Sequence, residues 1–295
     1  MYERILVPTD GSDHALRAAE HGRYLADAFD ATVHVLAVID VQQAAGPFSA
    51  GGVDKAFIDR LEAEADATVE AVVDTQDGSA SVQTAVRKGE PAEEILAYAD
   101  DHDVDLLAMG THGRSGLRRL VAGSVTERVV RLAEVPVLTV RSLDRSRVAD
   151  GYDDVLVPTD GSEPAAAAVD HALEIAAHTG ARVHAVYVAD AADRAERAAD
   201  ASGNEPDTTP DSRGAAAARA LAEQARARGV DALTTVLEGA PAAALLDYAD
   251  EHDIDLVVMG TRGRAGLSRL VLGSTTGRVL RGAEMPVVSV NARQE

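Results

Sequence analysis

The chain has no cysteine and no tryptophan among its 295 residues, and aromatic side chains make up only 3% of it. Without cysteine there is no disulfide framework, no thiolate metal site and no cysteine nucleophile. With so few rings the core must be built from Ala, Val, Leu and Ile, and a hydrophobic fraction of 46% supplies them. Lysine is nearly missing as well: Lys55 and Lys88 are the only two, so Arg provides 26 of the 28 basic residues. No apolar run approaches the roughly 20 residues of a membrane-spanning helix. Met1-Tyr2-Glu3-Arg4 runs straight into an apolar stretch with no signal-peptide pattern, so a cytoplasmic location is expected. The phosphate loop G-x-x-x-x-G-K-[ST] is absent, and no G-x-G-x-x-G follows the first strand. Any phosphate must therefore be held by backbone amides, hydroxyls and arginine.

What the chain has in excess is acid. The formal net charge is −21. Residues 1–147 hold 25 acids against 15 bases, and the remainder 24 against 13, so the acidity is spread along the chain and is not a tail. Such a surface repels nucleic acid and anionic membrane as general partners. High Asp and Glu with almost no Lys points to a salt-adapted protein, in which dense counterions screen the self-repulsion. A GC-rich genome, which also favours Arg and Ala, is the plainer explanation.

The chain also repeats itself. Gly110-Thr111-His112-Gly113, nine residues, then Gly123-Ser124 returns as Gly260-Thr261-Arg262-Gly263, nine residues, then Gly273-Ser274, an offset of 150. The same offset carries Pro8-Thr9-Asp10-Gly11-Ser12 onto Pro158-Thr159-Asp160-Gly161-Ser162, and Pro136 onto Pro286. A repeat this long is a domain with its own core, not a solenoid unit. We expect domain 1 over 1–142, a polar linker over 143–153 and domain 2 over 154–295. Ala191–Gly214, rich in Ala and Asp, reads as a mobile surface segment.

Each copy alternates strand and helix. Ile5–Pro8 is a short apolar run, and Ser12 can cap a helix reaching Phe29. Thr32–Ile39 is β-branched and apolar, a buried strand. Phe57, Leu61, Ala65, Thr68 and Val72 recur at helical spacing. Val82–Val86 reads as a strand, Gly89-Glu90-Pro91 opens a helix bearing Ile95, Leu96 and Ala99, and Val104–Met109 is a strand that ends at the glycine signature. A helix over Ser124–Ala133 and a strand over Pro136–Val140 complete the copy. This order implies an α/β fold, two tandem doubly wound domains with parallel sheets covered on both faces.

In such sheets ligands bind beyond the carboxyl ends of the strands, where the strand order reverses. Two turns fall there: Pro8-Thr9-Asp10-Gly11 after the first strand and Gly110–Gly113 after the fourth. Glycine permits close backbone approach and positive φ, and the helix after Gly123 offers free N–H groups and a positive dipole end to an anion. Ser124 adds a hydroxyl. Arg114, Arg118 and Arg119 lie near in sequence, as do Arg262, Arg264 and Arg269 in the second copy. The plain alternatives are a capping box formed by Ser124 and Glu127 and a turn stabilised by Asp10. The combination, repeated at one offset, favours a ligand. The histidine pairs His34/His184 and His102/His252 have no metal-site spacing and read as structural. His112, whose counterpart is Arg262, makes a poor catalytic candidate.

These residues resemble the universal stress protein family, ATP-binding type, over nearly the whole of both copies. The resemblance rests on G-x-x-G-x9-G-[ST], the opening V-P-T-D-G-S and the closing strand after E-V-P-V. It implies five-stranded parallel sheets in the order 3-2-1-4-5, with ATP between strands 1 and 4 and Mg²⁺ accompanying the triphosphate. By motif position, Pro8, Thr9 and Asp10 would line the adenosine and phosphate side, and Val38 the adenine. Gly110, Gly113 and Arg114 would hold ribose and phosphates, and Gly123, Ser124 and Val125 the outer phosphates. The second set is Pro158, Thr159, Asp160, Val188, Gly260, Gly263, Arg264, Gly273, Ser274 and Thr275. Asp10 and Asp160 would approach the metal. One departure is Gly277 in place of Glu127, which removes half of a capping box and predicts a looser helix start in the second copy.

The expected function is an ATP-binding stress-response or regulatory protein with two nucleotide sites and little turnover, because no His or Glu common to both copies lies in the signature. A slow ATPase or autophosphorylating phosphotransferase, with Ser124 or Ser274 accepting phosphate, is the first alternative. A ligand-free interaction module is the second. The fifth strands, Val135–Val140 and Met285–Val290, are apolar edges, so an internal pseudo-dimer of the two domains is expected, and chains could dimerise further.

Overall fold

The computed structural model describes residues 2–41, 44, 54–74, 79–111, 123–148, 151–189, 210–261 and 272–291. The chain divides into two compact units, Met1–Val148 and Ala149–Glu295. Unit 1 contains β1 (Arg4–Pro8), α1 (Asp13–Phe29), β2 (Thr32–Ile39), α2 (Lys55–Asp74), β3 (Val82–Lys88), α3 (Pro91–Asp101), β4 (Leu106–Gly110), α4 (Ser124–Leu132) and β5 (Val137–Val140). Unit 2 contains β6 (Asp154–Pro158), α5 (Glu163–Thr179), β7 (Arg182–Ala189), α6 (Pro210–Ala227), β8 (Ala232–Glu238), α7 (Pro241–Glu251), β9 (Leu256–Gly260), α8 (Ser274–Gly282) and β10 (Val287–Val290).

The strands of unit 1 run in the order β3-β2-β1-β4-β5 and those of unit 2 in the order β8-β7-β6-β9-β10. Within each unit the pairings are parallel. This is the doubly wound arrangement expected from the sequence. Right-handed crossovers place α1 and α2 on one face of the first sheet and α3 and α4 on the other. The central strands are buried end to end: Ile5, Leu6, Leu106 and Leu107 have no exposed surface. That is why they read as continuous apolar runs with no alternation.

Helix α1 is laid on this sheet by small residues. Ala15, Ala18, Ala19, Leu25 and Ala26 are buried along one stripe. A Cβ on Gly22 would stand 2.8 Å from Val7 Cγ2 and 3.3 Å from Ala108 Cβ. The helix starts where expected, at Ser12, whose hydroxyl accepts from the Ala15 N–H at 3.3 Å. It stops at Asp30, held at φ 55°, where α5 uses Gly180 at φ 79°.

Strand β4 begins later than its apolar run, because the Val104 N–H is drawn back to the Ala99 carbonyl at 2.9 Å to close α3. Strand β3 reaches Lys88, since it pairs with β2 through Ile39. Of the segment read as mobile, residues 191–209 lie outside the described residues, and 210–214 are already helical in α6. A Cβ on Gly214 would collide with the Tyr187 ring, so that glycine serves helix packing. The first part of the polar linker is likewise not free chain. Asp144–Ser146 forms one 3-10 turn, and the buried Ser146 carbonyl accepts from His21 Nε2 at 2.7 Å. Among the described residues no helix is long and apolar enough to cross a membrane.

Candidate functional site

The two central strands separate at their carboxyl ends. β1 and β4 are in register only at Ile5↔Leu106 and Leu6↔Leu107. Beyond that point β1 continues along β2 to Pro8↔Leu36, and β4 continues along β5 to Gly110↔Val140. A crevice therefore opens between Val7–Pro8 on one lip and Ala108–Gly110 on the other. Unit 2 splits at the same place, after Leu156↔Val257. The chain leaves β1 toward β2 and leaves β4 toward β5, so this is the switch point of the winding.

One lip is a tight turn. Thr9 is buried and its hydroxyl accepts from the Gly11 N–H at 3.1 Å, and Asp10 Oδ1 accepts from the Ser12 N–H at 3.1 Å and its hydroxyl at 2.6 Å. These bonds hold the Asp10 carboxylate at the rim. Gly11 takes φ 74° and Gly161 φ 72°, which is where the left-handed conformation is needed. Thr159 and Asp160 repeat the bonds at 3.2 Å and 2.9 Å. Val38 and Val188, near the ends of β2 and β7, are half-buried where most neighbouring strand residues are buried.

The other lip is a helix start. The N-cap of α4 is Gly123 and that of α8 is Gly273, and neither helix has a side-chain cap. The capping box expected of Ser124 and Glu127 does not form, because Ser124 is already inside the helix. Its hydroxyl is one position too late to cap. The loss of Glu127 at Gly277 therefore does not loosen the second helix start by that route. Ser124 and Ser274 are exposed, and Val125 and Thr275 half-buried, in the uncapped first turns. The helix starts are fixed from beneath instead. Thr126 Oγ1 donates to the Gly110 carbonyl at 2.7 Å, and Thr276 Oγ1 to that of Gly260 at 2.8 Å. The Gly123 and Gly273 N–H groups bond the carbonyls of Thr111 and Thr261 at 2.5 Å and 2.8 Å. The sequence reading passed over these threonines, although their recurrence at the 150-residue offset marked them.

Gly110 and Gly260 also have a packing role that the sequence did not show. A Cβ on Gly110 would lie 2.6 Å from the backbone carbon of His14, and one on Gly260 would meet the Pro164 carbonyl. These glycines let the first turns of α1 and α5 sit against the ends of β4 and β9. His14, also unremarked in the sequence, accepts at Nδ1 from the Ser142 N–H at 2.8 Å. The sequence-predicted residues Gly113, Arg114, Gly263 and Arg264 lie outside the described residues, as do His112, Arg118, Arg119, Arg262 and Arg269. The structure thus gathers Pro8, Thr9, Asp10, Val38, Gly110, Gly123, Ser124 and Val125 at one end of the first sheet. Their counterparts Pro158, Thr159, Asp160, Val188, Gly260, Gly273, Ser274 and Thr275 occupy the same end of the second.

His34 and His184 lie short of the lips, level with Leu6 and Leu156, where the central strands are still paired. His34 Nδ1 meets the Tyr98 hydroxyl at 3.0 Å, and the Tyr98 ring stacks on His102 at 3.9 Å between centroids. His184, Tyr248 and His252 repeat the arrangement, with 2.9 Å and 3.8 Å. Burial lowers both His34 and His184 below the ordinary histidine range; His184 is partly restored by its 2.7 Å bond to Asp154. Among the described residues there is no cluster of three or more His, Asp or Glu able to hold a metal.

Comparison with known proteins agrees with this geometry. The model of the Universal stress protein family matches residues 1–141 and again 151–291. A universal stress protein of Methanocaldococcus jannaschii is 37% identical over 142 residues, 48% of this chain and 83% of that protein. One from Mycolicibacterium smegmatis is 29% identical over 299 residues, covering 98% of this chain and 97% of its own. Among solved structures, a universal stress protein from Archaeoglobus fulgidus superposes with a TM-score of 0.70 at 23% identity, covering 98% of both chains. The repeated signature, the split sheets and the two family matches together make this chain a member of the Universal stress protein family, with two such domains in tandem.

Proposed function

We propose that each unit binds an adenine nucleotide, ATP foremost, across its split central strands, and that the protein serves as a stress-response regulator with little turnover. The observation that carries the reading is the crevice itself. One lip is a bonded turn bearing Asp10 or Asp160, the other an uncapped helix start, and both units build it alike. Uncapped N–H groups at a helix start suit phosphate. The half-buried Val38 and Val188 offer apolar contact for a base. Mg²⁺ fits as a companion of the triphosphate: the rim carboxylates of Asp10 and Asp160 are positioned by their turns and would reach it, and the metal would neutralise phosphate charge. Low turnover is inferred because no His or Glu common to both units lies in the glycine signature.

The test is calorimetry with ATP, together with mass spectrometry of ligand released from the purified protein. Gly123 has φ −55° and ψ 148°, and Gly273 φ −56° and ψ 145°, a conformation open to any residue. Gly123→Val and Gly273→Val should therefore keep the backbone while crowding the phosphate position. Each is expected to remove one ATP site of two. Two unchanged sites in both variants would reject the assignment, and released ADP formed from added ATP would favour the slow ATPase.

A further inference from the structure

The two helix starts differ in what surrounds them. In unit 1, Arg128 on α4 is held by two carboxylates from the start of α3: Nη1 donates to Glu90 at 2.7 Å and Nη2 to Glu93 at 2.7 Å. Arg131 pairs with Glu127 at 3.4 Å. At the 150-residue offset the arginines are kept, as Arg278 and Arg281, while the three acids become Ala240, Ala243 and Gly277. Arg278 is exposed, and among the described residues it makes no ion pair or hydrogen bond. Arg281 folds back over the first turn of α8, with Nη1 3.5 Å from where a Cβ on Gly277 would be.

Helical side chains lean toward the N-terminus of their helix. Arg278 lies four residues after Ser274, one turn along the same side of α8 from the place where the phosphates are proposed to dock. Arg128 against Glu90 and Glu93 leaves that cluster in unit 1 with one net negative charge. Arg278 beside Ala240 and Ala243 leaves its counterpart in unit 2 with one net positive charge. The difference of two charges lies beside the same helix start, in a chain whose overall charge is −21.

We propose that the two sites are not equivalent: Arg278, released from the carboxylate pair that engages Arg128, makes unit 2 the site selective for the triphosphate, while unit 1 accepts less charged adenine nucleotides nearly as well. This rests on the nucleotide reading above. ATP carries about two more negative charges than AMP. At roughly 10 Å in a water-like medium each charge pair contributes about a twofold change in affinity, reduced by about 0.1 M salt. The ATP-over-AMP preference of unit 2 should then exceed that of unit 1 by roughly threefold near 0.1 M salt, and the two should converge in molar salt.

The experiment uses the full chain and 8-azido-ATP. Peptide mapping of the photolabel assigns each site to its unit, and competition by ATP and AMP gives each unit's preference. Arg278→Gln, and separately Ala240→Glu with Ala243→Glu, should bring unit 2 to the preference of unit 1. Glu90→Gln with Glu93→Gln keeps the carbonyl that accepts from the Glu93 N–H and should raise the preference of unit 1. Melting curves confirm that each variant is folded. Labelling of both units with equal preferences, unmoved by exchanging the glutamates, would overturn this inference and leave the nucleotide reading intact. Absence of displaceable label from both units would overturn both.

Discussion

His21 is 1% exposed, and its Nε2 donates to the Ser146 carbonyl at 2.7 Å, tying the segment after β5 to α1. Burial is the main reason its pKa falls from 6.5 to about 4, with the Arg17 charge adding to the fall and the Ser146 bond opposing it. The folded protein therefore keeps this ring neutral while the unfolded chain takes up a proton near pH 6.5. The sign follows: the contribution to stability is complete above about pH 6.5 and is lost as pH falls toward 4. The gap, at about 1.4 kcal/mol per pH unit, comes to about 3 kcal/mol. Its counterpart in unit 2, His171, is only half-buried. His34 and His184 are both lowered by burial, so an effect of the same sign acts in each unit. Unit 1 should thus be the first to open on acidification. Urea unfolding from pH 7 to 4.5 at fixed salt, with limited proteolysis to identify the open unit, measures this. His21→Gln keeps a donor for Ser146 and cannot be protonated in this range. It should flatten the acid loss of unit 1 by about 2 kcal/mol over that pH range and leave unit 2 unchanged. If the variant loses stability with pH as steeply as the parent, or if unit 2 opens first in both, the reasoning about the buried ring is wrong.

Three further outcomes are expected. Gly110→Ala should destabilise unit 1 by about 1–3 kcal/mol in urea unfolding, since the new Cβ meets backbone of α1 at 2.6 Å and not a side chain that can move; a neutral result would show that α1 can shift freely. Thr126→Val should cost about 1 kcal/mol and weaken ATP binding in unit 1 alone, because the bond to Gly110 positions α4; unchanged affinity in calorimetry would separate that bond from the site. The melting temperature should rise from low to molar KCl, as counterions screen a net charge of −21, and a flat profile would remove the salt-adapted reading.

The 150-residue repeat, the apolar strand runs and the cap at Ser12 were enough to read the order of elements, the doubly wound class and the end of the sheet where the candidate site lies. They are local or periodic properties, and periodicity survives in one dimension. Tertiary structure alone decided the rest. The packing role of Gly110 could not be read from spacing, because its close approach to the His14 backbone joins residues nearly a hundred apart. Ser124 looked like a cap, and only the position of the helix start, set by Thr126 reaching Gly110, puts it one residue inside. The clamp of Glu90 and Glu93 on Arg128, and its absence around Arg278, depend on two helices meeting side by side. A spacing in sequence can state which groups exist, but charges act through distance, and distance is fixed only when the chain has folded.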